Sequence, residues 1–292
     1  MGQDAGVNAG AGTGEAVKAV VLARGLGTRM RRADASAALD EGQRAAADAG
    51  MKGMVPVGTG DAAGAGRPFM DYVLSALADA GCREACLVIG PEHDAVREYY
   101  ARHPTERVAL SFAVQERPLG TADAVLAAER FAGGEPFLVV NSDNYYPVDT
   151  LAALRTAPAP ALAGFDRVAL AAGGNIDPAR IARFAILEIA ADGTTLRRIV
   201  EKPDEATMRA MGEAAPVSMN CWLLTSQIFE ACRSIAPSSR GELELPHAVQ
   251  WLIDERHARF HVVPAHGTVL DMSSRADIPA VAAQLAGVDV RP

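Results

Sequence analysis

The chain has little of what membrane-spanning or nucleic-acid-binding proteins usually contain. No apolar run approaches the roughly 18 residues that a bilayer-spanning helix needs, and residues 1–16 are rich in glycine and alanine without a basic start. The formal net charge is -8, and an acidic chain is poorly suited to binding a phosphate backbone. These features predict a cytoplasmic protein that binds neither a membrane nor nucleic acid.

Cysteine is also scarce, with four residues and no C-x-x-C pair. Zinc and redox sites generally depend on such pairs, so we expect free thiols in a reducing compartment. The six histidines show no spacing typical of a metal site. Because the chain is acidic overall, a polyanionic ligand would need a local group of cations. Four arginines lie close together in the sequence: Arg24, Arg29, Arg31 and Arg32.

What the chain does have is ample apolar sequence for a core, 49% of its 292 residues. Strand-like and helical patterns alternate as far as about residue 140, which is typical of an α/β fold with a mostly parallel sheet. After about residue 160, strands outnumber helices. We predict a flexible segment over 1–16 and one domain over 17–292, without a C-terminal β-helix because no six-residue repeat is present.

The predicted elements follow from hydrophobic periodicity. Strands are predicted at 18–23, 85–89, 108–114, 136–140, 167–171, 184–189, 196–200 and 217–224. Helices are predicted at 68–80, 92–101, 121–131, 226–235, 242–253 and 274–285. Segments 31–50 and 59–66 show little apolar periodicity, so we expect surface insertions or loops there.

A glycine-containing turn, RGLGTR at 24–29, follows the first predicted strand. Its two glycines allow the backbone to approach a phosphate closely, and Arg29 adds a cationic fork. A plain turn is the alternative. Met30 stands where a dinucleotide-binding fingerprint has its third glycine, so a nicotinamide oxidoreductase is disfavoured. No Gly-Lys-Ser/Thr follows, which disfavours a P-loop.

Two aspartates each follow an apolar run, Asp143 after 137–140 and Asp271 after 266–270. Ligands of open α/β sheets bind at the carboxyl ends of the strands, and carboxylates at that edge suit Mg²⁺. A turn or helix-capping role for Asp143 remains open. Lys52, which follows the long insertion, is by itself typical of a solvated surface.

In their order along the chain, these segments resemble the sugar-1-phosphate nucleotidyltransferase family, and most of all its glucose-1-phosphate thymidylyltransferase branch. The likeness runs from about residue 17 to about residue 286. Each motif is weak alone, but their common order makes the signal strong. The matching segments are LARGLGTRM at 22–30, Lys52 with Pro56, Gln115 with PLGTA at 118–122, Asp143, EKP at 201–203, RGELE at 240–244, and Asp271.

The resemblance implies a three-layer, Rossmann-like nucleotidyltransferase fold with a mostly parallel central sheet. It implies transfer of a nucleotidyl group from dTTP or UTP to a sugar 1-phosphate, with Mg²⁺ as cofactor. Assembly into a homo-oligomer is compatible with the resemblance. The implied roles are catalysis by Arg29, Lys52 and Lys202; nucleotide binding by Ala23, Gly25, Leu26, Gly27, Thr28, Gln115, Leu119, Gly120 and Thr121; sugar-phosphate binding by Glu201, Lys202, Tyr146 and Asn220; and metal binding by Asp143 and Asp271.

Several positions depart from the family's pattern. Arg24 replaces a small residue, so it either adds a phosphate contact or crowds the loop, and Met51 stands where a proline normally precedes the lysine. Ala185 and the segment 218–220 differ from the usual sugar-pocket residues. A non-catalytic sugar-nucleotide-binding regulatory protein of the same fold is therefore the alternative. Tyr146 can be read either as a wall of the sugar pocket or as a packing residue.

Overall fold

The computed structural model describes residues 17–34, 37–58 and 66–292. The predicted flexible segment 1–16 and nearly all of the predicted loop 59–66 lie outside the described residues. Within the described ranges, no helix has both the length and the apolar character that crossing a bilayer requires.

The elements of the described ranges are as follows. The strands are β1 (Lys18–Leu22), β2 (Pro56–Val57), β3 (Arg67–Pro68), β4 (Glu84–Ile89), β5 (Ala109–Val114), β6 (Phe137–Asn141), β7 (Asn144–Tyr145), β8 (Ala161–Phe165), β9 (Ala185–Ile189), β10 (Leu196–Val200), β11 (Val217–Ser218), β12 (Trp222–Leu224), β13 (His261–Ala265) and β14 (Leu270–Asp271). The α-helices are α1 (Thr28–Arg31), α2 (Glu41–Ala49), α3 (Phe69–Asp79), α4 (Asp94–Arg102), α5 (Thr121–Ala127), α6 (Glu129–Ala132), α7 (Val148–Arg155), α8 (Arg167–Gly173), α9 (Pro178–Ile181), α10 (Glu205–Met211), α11 (Gln227–Ser234), α12 (Leu245–Arg256) and α13 (Asp277–Leu285). A short 3₁₀ helix spans Lys52–Met54.

One 10-stranded sheet dominates the fold, in the order β10-β9-β11-β8-β12-β6-β1-β4-β5, with β13 paired to β8. Strands β6, β1, β4 and β5 are parallel to one another. Strands β12, β11, β9 and β10 add antiparallel pairs. The predicted α/β class with a large central sheet is confirmed, and its first half is the parallel part that alternating strands and helices indicate.

Helices cover both faces of the sheet, giving the predicted three layers. Ala19 and Val21 belong to one hydrophobic cluster, whereas Val20 and Leu22 belong to another. Side chains alternate between the two faces of a strand, so a strand buried on both sides must be apolar at every position. This explains why the apolar run at 18–23 predicts β1 so well.

The segment 31–50, predicted to be a surface insertion or a loop, is not a loop throughout. Helix α2 occupies its second half and begins with a capping box. The Asp40 side chain accepts a hydrogen bond from Gln43 N at 2.7 Å, and the Gln43 side chain accepts one from Asp40 N at 3.2 Å. The buried face of α2 consists of Ala46 and Ala47. Alanines give only a faint hydrophobic period, which is why the helix escaped notice.

The strand predicted at 167–171 is wrong, because these residues lie in α8. Asp166 caps this helix by accepting a hydrogen bond from Ala169 N at 2.7 Å. The strand lies one element earlier, in β8. There a Cβ on Gly164 would lie 2.6 Å from Val262 Cγ1 of the neighbouring strand β13. The small side chains of β8 fit this close contact, but they weaken the strand signal in the sequence.

The other predicted elements occur with boundaries that differ by at most three residues, except that two are divided. The helix predicted at 121–131 is interrupted between α5 and α6, and the strand at 217–224 is interrupted at Asn220, where φ is 55°. All four cysteines are buried and free, as expected.

Candidate active site

A cleft of about 410 Å³ lies at the carboxyl ends of the parallel strands β1, β4, β5 and β6. Open α/β sheets bind ligands at this edge. Most of the residues that the sequence singled out for the nucleotide line it. They are Ala23, Gly25, Leu26, Gly27, Thr28, Arg29, Lys52, Gln115, Gly120, Thr121 and Asp143.

The glycine turn after β1 rests on the end of α2. Gly27 has a φ of 61°, and a Cβ there would lie 2.4 Å from Gly50 O. Arg31 joins the two segments by donating to Leu26 O at 2.7 Å and to Ala49 O at 2.9 Å. The insertion therefore supports the turn, a role that its sequence did not reveal.

Arg275 provides a second support for this turn. Its side chain is buried, and its Nε donates to Met30 O at 2.8 Å, at the end of α1. The same guanidinium contacts Asp48 on α2. A buried cation that is hydrogen-bonded to a helix's last carbonyls is favourably placed. Sequence reasoning missed Arg275 because its partners lie more than two hundred positions away.

Arg29 and Lys52 are cations that line the cleft. Among the described residues, the side chain of Arg29 has no hydrogen-bond or ion-pair partner, and it is exposed. Lys52 Nζ lies 2.7 Å from Asp143 Oδ2, and both side chains are largely buried. The structure therefore brings Lys52 to the site, 91 positions from its partner.

The two candidate metal ligands lie close together in the fold: Asp271 is the last residue of β14, and Asp143 directly precedes β7. β7 pairs with β14, and Met272 N donates to Asp143 O at 2.8 Å. Burial raises the pKa of the Asp271 carboxyl, and the negative charge of Asp143 raises it further. The two carboxylates are thus electrostatic neighbours, although Asp143 faces the cleft and Asp271 is only 5% exposed.

Arg180 neutralises the buried aspartate. Its NH2 lies 2.9 Å from Asp271 Oδ1 and its NH1 lies 2.7 Å from Asp277 Oδ1. Arg180 NH2 and Asp271 Oδ1 are close enough for an ion pair, but neither atom makes a hydrogen bond of suitable geometry. Asp271 Oδ1 is therefore a buried acceptor with unused bonding capacity.

The donor chemistry at these aspartates fits Mg²⁺. Across the described ranges, no three His, Cys, Asp or Glu side chains form a complete metal shell. Mg²⁺ is commonly held by one or two carboxylates together with substrate phosphates and water. Asp143, at the cleft, and Asp271 behind it would supply such a pair if Arg180 released Asp271.

The other end of the cleft is built around Gln115, which follows β5. Its side-chain Nε2 donates to Gly120 O at 3.0 Å and to Asp123 Oδ2 at 2.8 Å. The PLGTA loop is held by the segment 243–245, since Leu119 O accepts from Leu243 N at 2.7 Å and Thr121 Oγ1 accepts from Leu245 N at 2.8 Å. The RGELE motif thereby acquires a structural role.

The guanidinium of Arg24 is hydrogen-bonded within the protein. Its Nε and NH2 donate to the Glu92 carboxylate at 3.2 and 3.1 Å, and its NH1 donates to Gln115 O. A Cβ on Gly90 would lie 2.5 Å from Arg24 Nε, so the glycine makes room for the guanidinium. The unusual arginine thus helps to fix Gln115 and does not crowd the glycine turn.

The sequence-predicted sugar residues lie apart from the glycine turn. Glu201 is half-buried, 4.0 Å from Arg240, which lines the cleft. Lys202 is exposed and has a φ of 47°. Asn220 is half-buried in the bend between β11 and β12. Glu201 therefore lies beside the cleft, whereas Lys202 and Asn220 do not line it.

Tyr146 lies in the core. Its side chain is 1% exposed, and its hydroxyl donates to Met219 O at 2.7 Å. Burial raises the pKa of this phenol well above its usual range. The structure favours the packing role of Tyr146 and gives no support to its predicted contact with the sugar phosphate.

With this geometry established, comparison with known families gives a clear result. A family model described as nucleotidyl transferase matches residues 49–267. The chain belongs to this nucleotidyltransferase family. The resemblance that the motif order indicated is confirmed, and the curated relatives include thymidylyltransferases.

This nucleotidyltransferase is 30% identical over 264 residues to a glucose-1-phosphate thymidylyltransferase of Streptomyces griseus, covering 88% of this chain and 64% of that protein. It is 27% identical over 240 residues to a UTP–glucose-1-phosphate uridylyltransferase of Haloferax volcanii, covering 81% and 84%. A solved UDP-glucose pyrophosphorylase complexed with UDP-glucose has the same fold, with a TM-score of 0.70, 19% identity, and coverage of 92% and 98%. The chain spans between about half and two thirds of the length of the first three curated relatives.

Glu201 provides a pH-dependent test of the site of this nucleotidyltransferase. Burial, followed by the charge of Glu244, raises the pKa of Glu201 from 4.5 to about 7. Because the folded protein holds this proton more tightly than the unfolded chain, the group's contribution to stability falls as pH rises from about 4.5 to about 7. We expect Glu201→Gln to raise the thermal midpoint by about 2–4 °C at pH 8. The gain should shrink toward pH 5 in thermal scans, and a gain that does not change with pH would contradict the assignment.

Proposed function

We propose that the chain is a Mg²⁺-dependent enzyme that transfers a nucleotidyl group from dTTP or UTP to a sugar 1-phosphate and releases pyrophosphate. One observation carries the proposal: the glycine turn, Arg29, Lys52 and Asp143 line a single cleft at the carboxyl edge of the sheet. The printed names of the relatives support sugar 1-phosphates as acceptors. The buried free thiols support a reducing, cytoplasmic location.

The reaction requires no general base. An oxygen of the sugar phosphate, already ionised near neutral pH, attacks the α-phosphorus of the triphosphate. A new P–O bond forms as the bond to the β-phosphate oxygen breaks, and pyrophosphate leaves with the electron pair. The protein's task is to position the substrates and to neutralise charge.

The cations of the cleft fit this task. The side chain of Arg29, with no partner in the described parts of the chain, is available for the triphosphate, and the N–H groups of the glycine turn can bind phosphate oxygens. Lys52 would neutralise the pyrophosphate leaving group. Lys202 would contact the sugar phosphate and Glu201 the sugar hydroxyls. When bound between Asp143 and Asp271, Mg²⁺ would supply further neutralisation of phosphate charge.

One observation favours a second candidate, a non-catalytic sugar-nucleotide-binding regulatory protein. Both candidate metal ligands are paired with cations, Asp143 with Lys52 and Asp271 with Arg180. If these pairs persist when nucleotide is bound, the protein would bind its ligand without turnover. The enzyme proposal requires that metal and phosphates compete successfully for the two carboxylates.

Release of pyrophosphate separates the two candidates. Four nucleoside triphosphates should be tested against a panel of sugar 1-phosphates, with Mg²⁺ and with chelator. We expect release with dTTP or UTP and a hexose 1-phosphate, abolished by the chelator. Nucleotide binding without release from any pair would favour the regulatory protein, and the absence of both would overturn both candidates. Size measurements in the same buffers would test a homo-oligomer.

A further inference from the structure

Nearly all of the hydrogen-bonding capacity of Gln115 is committed within the protein. Its backbone N–H donates to Ile89 O at 2.9 Å, and its backbone oxygen accepts from Arg24. Both hydrogens of its side-chain amide are used, one by Gly120 O and one by Asp123 Oδ2. Only the side-chain oxygen Oε1 remains.

The orientation of this amide follows from its partners. Nitrogen and oxygen of a carboxamide are otherwise difficult to distinguish, but a backbone carbonyl and a carboxylate can only accept. The NH₂ group must therefore face Gly120 O and Asp123. No donor in the described parts of the chain reaches Oε1, yet this oxygen is not sealed from solvent. Gln115 lines the cleft although it is only 2% exposed, so we infer that Oε1 is the atom it offers to a ligand there.

A backbone donor lies in the same loop. In the described ranges, nothing accepts a hydrogen bond from the N–H of Gly120, which also lines the cleft. An acceptor and a donor at one end of a cleft match a base edge with an N–H beside a carbonyl. Uracil and thymine present such an edge at N3 and guanine presents one at N1, whereas cytosine has a lone pair at N3.

We propose that Asp123 is a positioning residue for base recognition: it fixes the Gln115 amide so that only an acceptor, Oε1, is offered to the base. This inference rests on the proposed function, because it assumes that a nucleotide occupies the cleft. Asp123 lies in the first turn of α5 and is half-buried. Its carboxylate is well placed at a helix N-terminus, so the test must distinguish base recognition from helix stability.

The first test uses the base as a probe. Wild-type protein should bind UTP at least about tenfold more tightly than N3-methyl-UTP, which lacks the N3 hydrogen, because the unpaired acceptor costs about one hydrogen bond. Titration calorimetry with each nucleotide measures the ratio. In Asp123→Leu, where Gly120 O alone still orients the amide, the ratio should fall below about threefold. The KM for UTP should rise while kcat changes little.

The second test exchanges donor and acceptor. Gln115→Glu places two carboxylates side by side and should weaken UTP binding by at least about tenfold. Adding Asp123→Asn restores a donor opposite the new carboxylate and should recover at least about fivefold in affinity. The matched control combines Gln115→Glu with Asp123→Leu, which removes the same charge without supplying a donor, and should recover less.

The outcomes separate this inference from the proposed function. Release of pyrophosphate from UTP together with equal binding of UTP and N3-methyl-UTP would overturn the role of Asp123 and leave the enzyme intact. Tighter binding of CTP than of UTP, or equal recovery in the two double variants, would do the same. A wild-type protein that binds no nucleoside triphosphate would overturn both.

Discussion

Asp143→Asn is expected to lower kcat for pyrophosphate release by about 10²–10³-fold, the range typical for loss of a group that stabilises transition-state charge. Asp143 is the candidate metal ligand that lines the cleft. Asparagine keeps the size of the side chain but removes the charge that pairs with Lys52 and that would hold a divalent cation. Steady-state assays over a range of Mg²⁺ concentrations would show the loss.

Two measurements distinguish the loss of a metal ligand from a loss of folding. Binding of Mn²⁺, followed by its paramagnetic signal, should weaken in Asp143→Asn, while the thermal midpoint should stay within a few degrees. Asp149→Asn is the matched control, because Asp149 is exposed in the first turn of α7 and does not line the cleft. Full activity in Asp143→Asn would rule out the proposed metal site.

Local patterns in the sequence are sufficient to place half of this site. The run at 137–140 is buried on both faces of the sheet, so its apolar character predicts β6. Asp143 follows it at the carboxyl edge, and the glycine turn follows β1 in the same way. Because β1 and β6 are parallel neighbours, the two segments meet at that edge.

Contacts between distant segments were not predictable in this way. Lys52 is a surface residue by its sequence context, and only the order of motifs suggested its role. The pairing of Arg180 with Asp271, 91 positions later, left no local signal at all. Such pairs depend on how loops fold back over the sheet, whereas periodicity reports only which face of an element is buried.

Glycine positions show the same limit. The sequence locates Gly27 and Gly120, but it does not show which backbone segment packs against each of them. Gly27 faces Gly50, which belongs to the segment that we predicted to be a surface insertion or a loop. Gly120 faces Leu243 of the RGELE motif, a leucine for which the family resemblance implied no role. In both cases, the backbone that packs against the glycine determines how strongly a side chain there would destabilise the protein.

Gly120→Ala is expected to destabilise the protein by at least about 3 kcal/mol and to reduce nucleotide affinity strongly. Gly120 has a φ of 121°, a conformation that L side chains rarely adopt, and a Cβ would lie 2.4 Å from Leu243 O and 2.8 Å from Leu243 N. Both atoms belong to the backbone, so no rotamer change relieves the contact. The hydrogen bonds that join residues 119–122 to 243–245 would have to break.

Gly134→Ala is the matched control for this substitution. Gly134 is exposed, and a Cβ there would have no neighbour within 4 Å. Chemical denaturation should show a loss of stability for Gly120→Ala that Gly134→Ala does not share, and UTP titration should show a parallel loss of affinity. If Gly120→Ala were as stable as Gly134→Ala and bound UTP normally, the loop would not be fixed by Leu243. Gln115 would then lose one of the two acceptors that orient its amide.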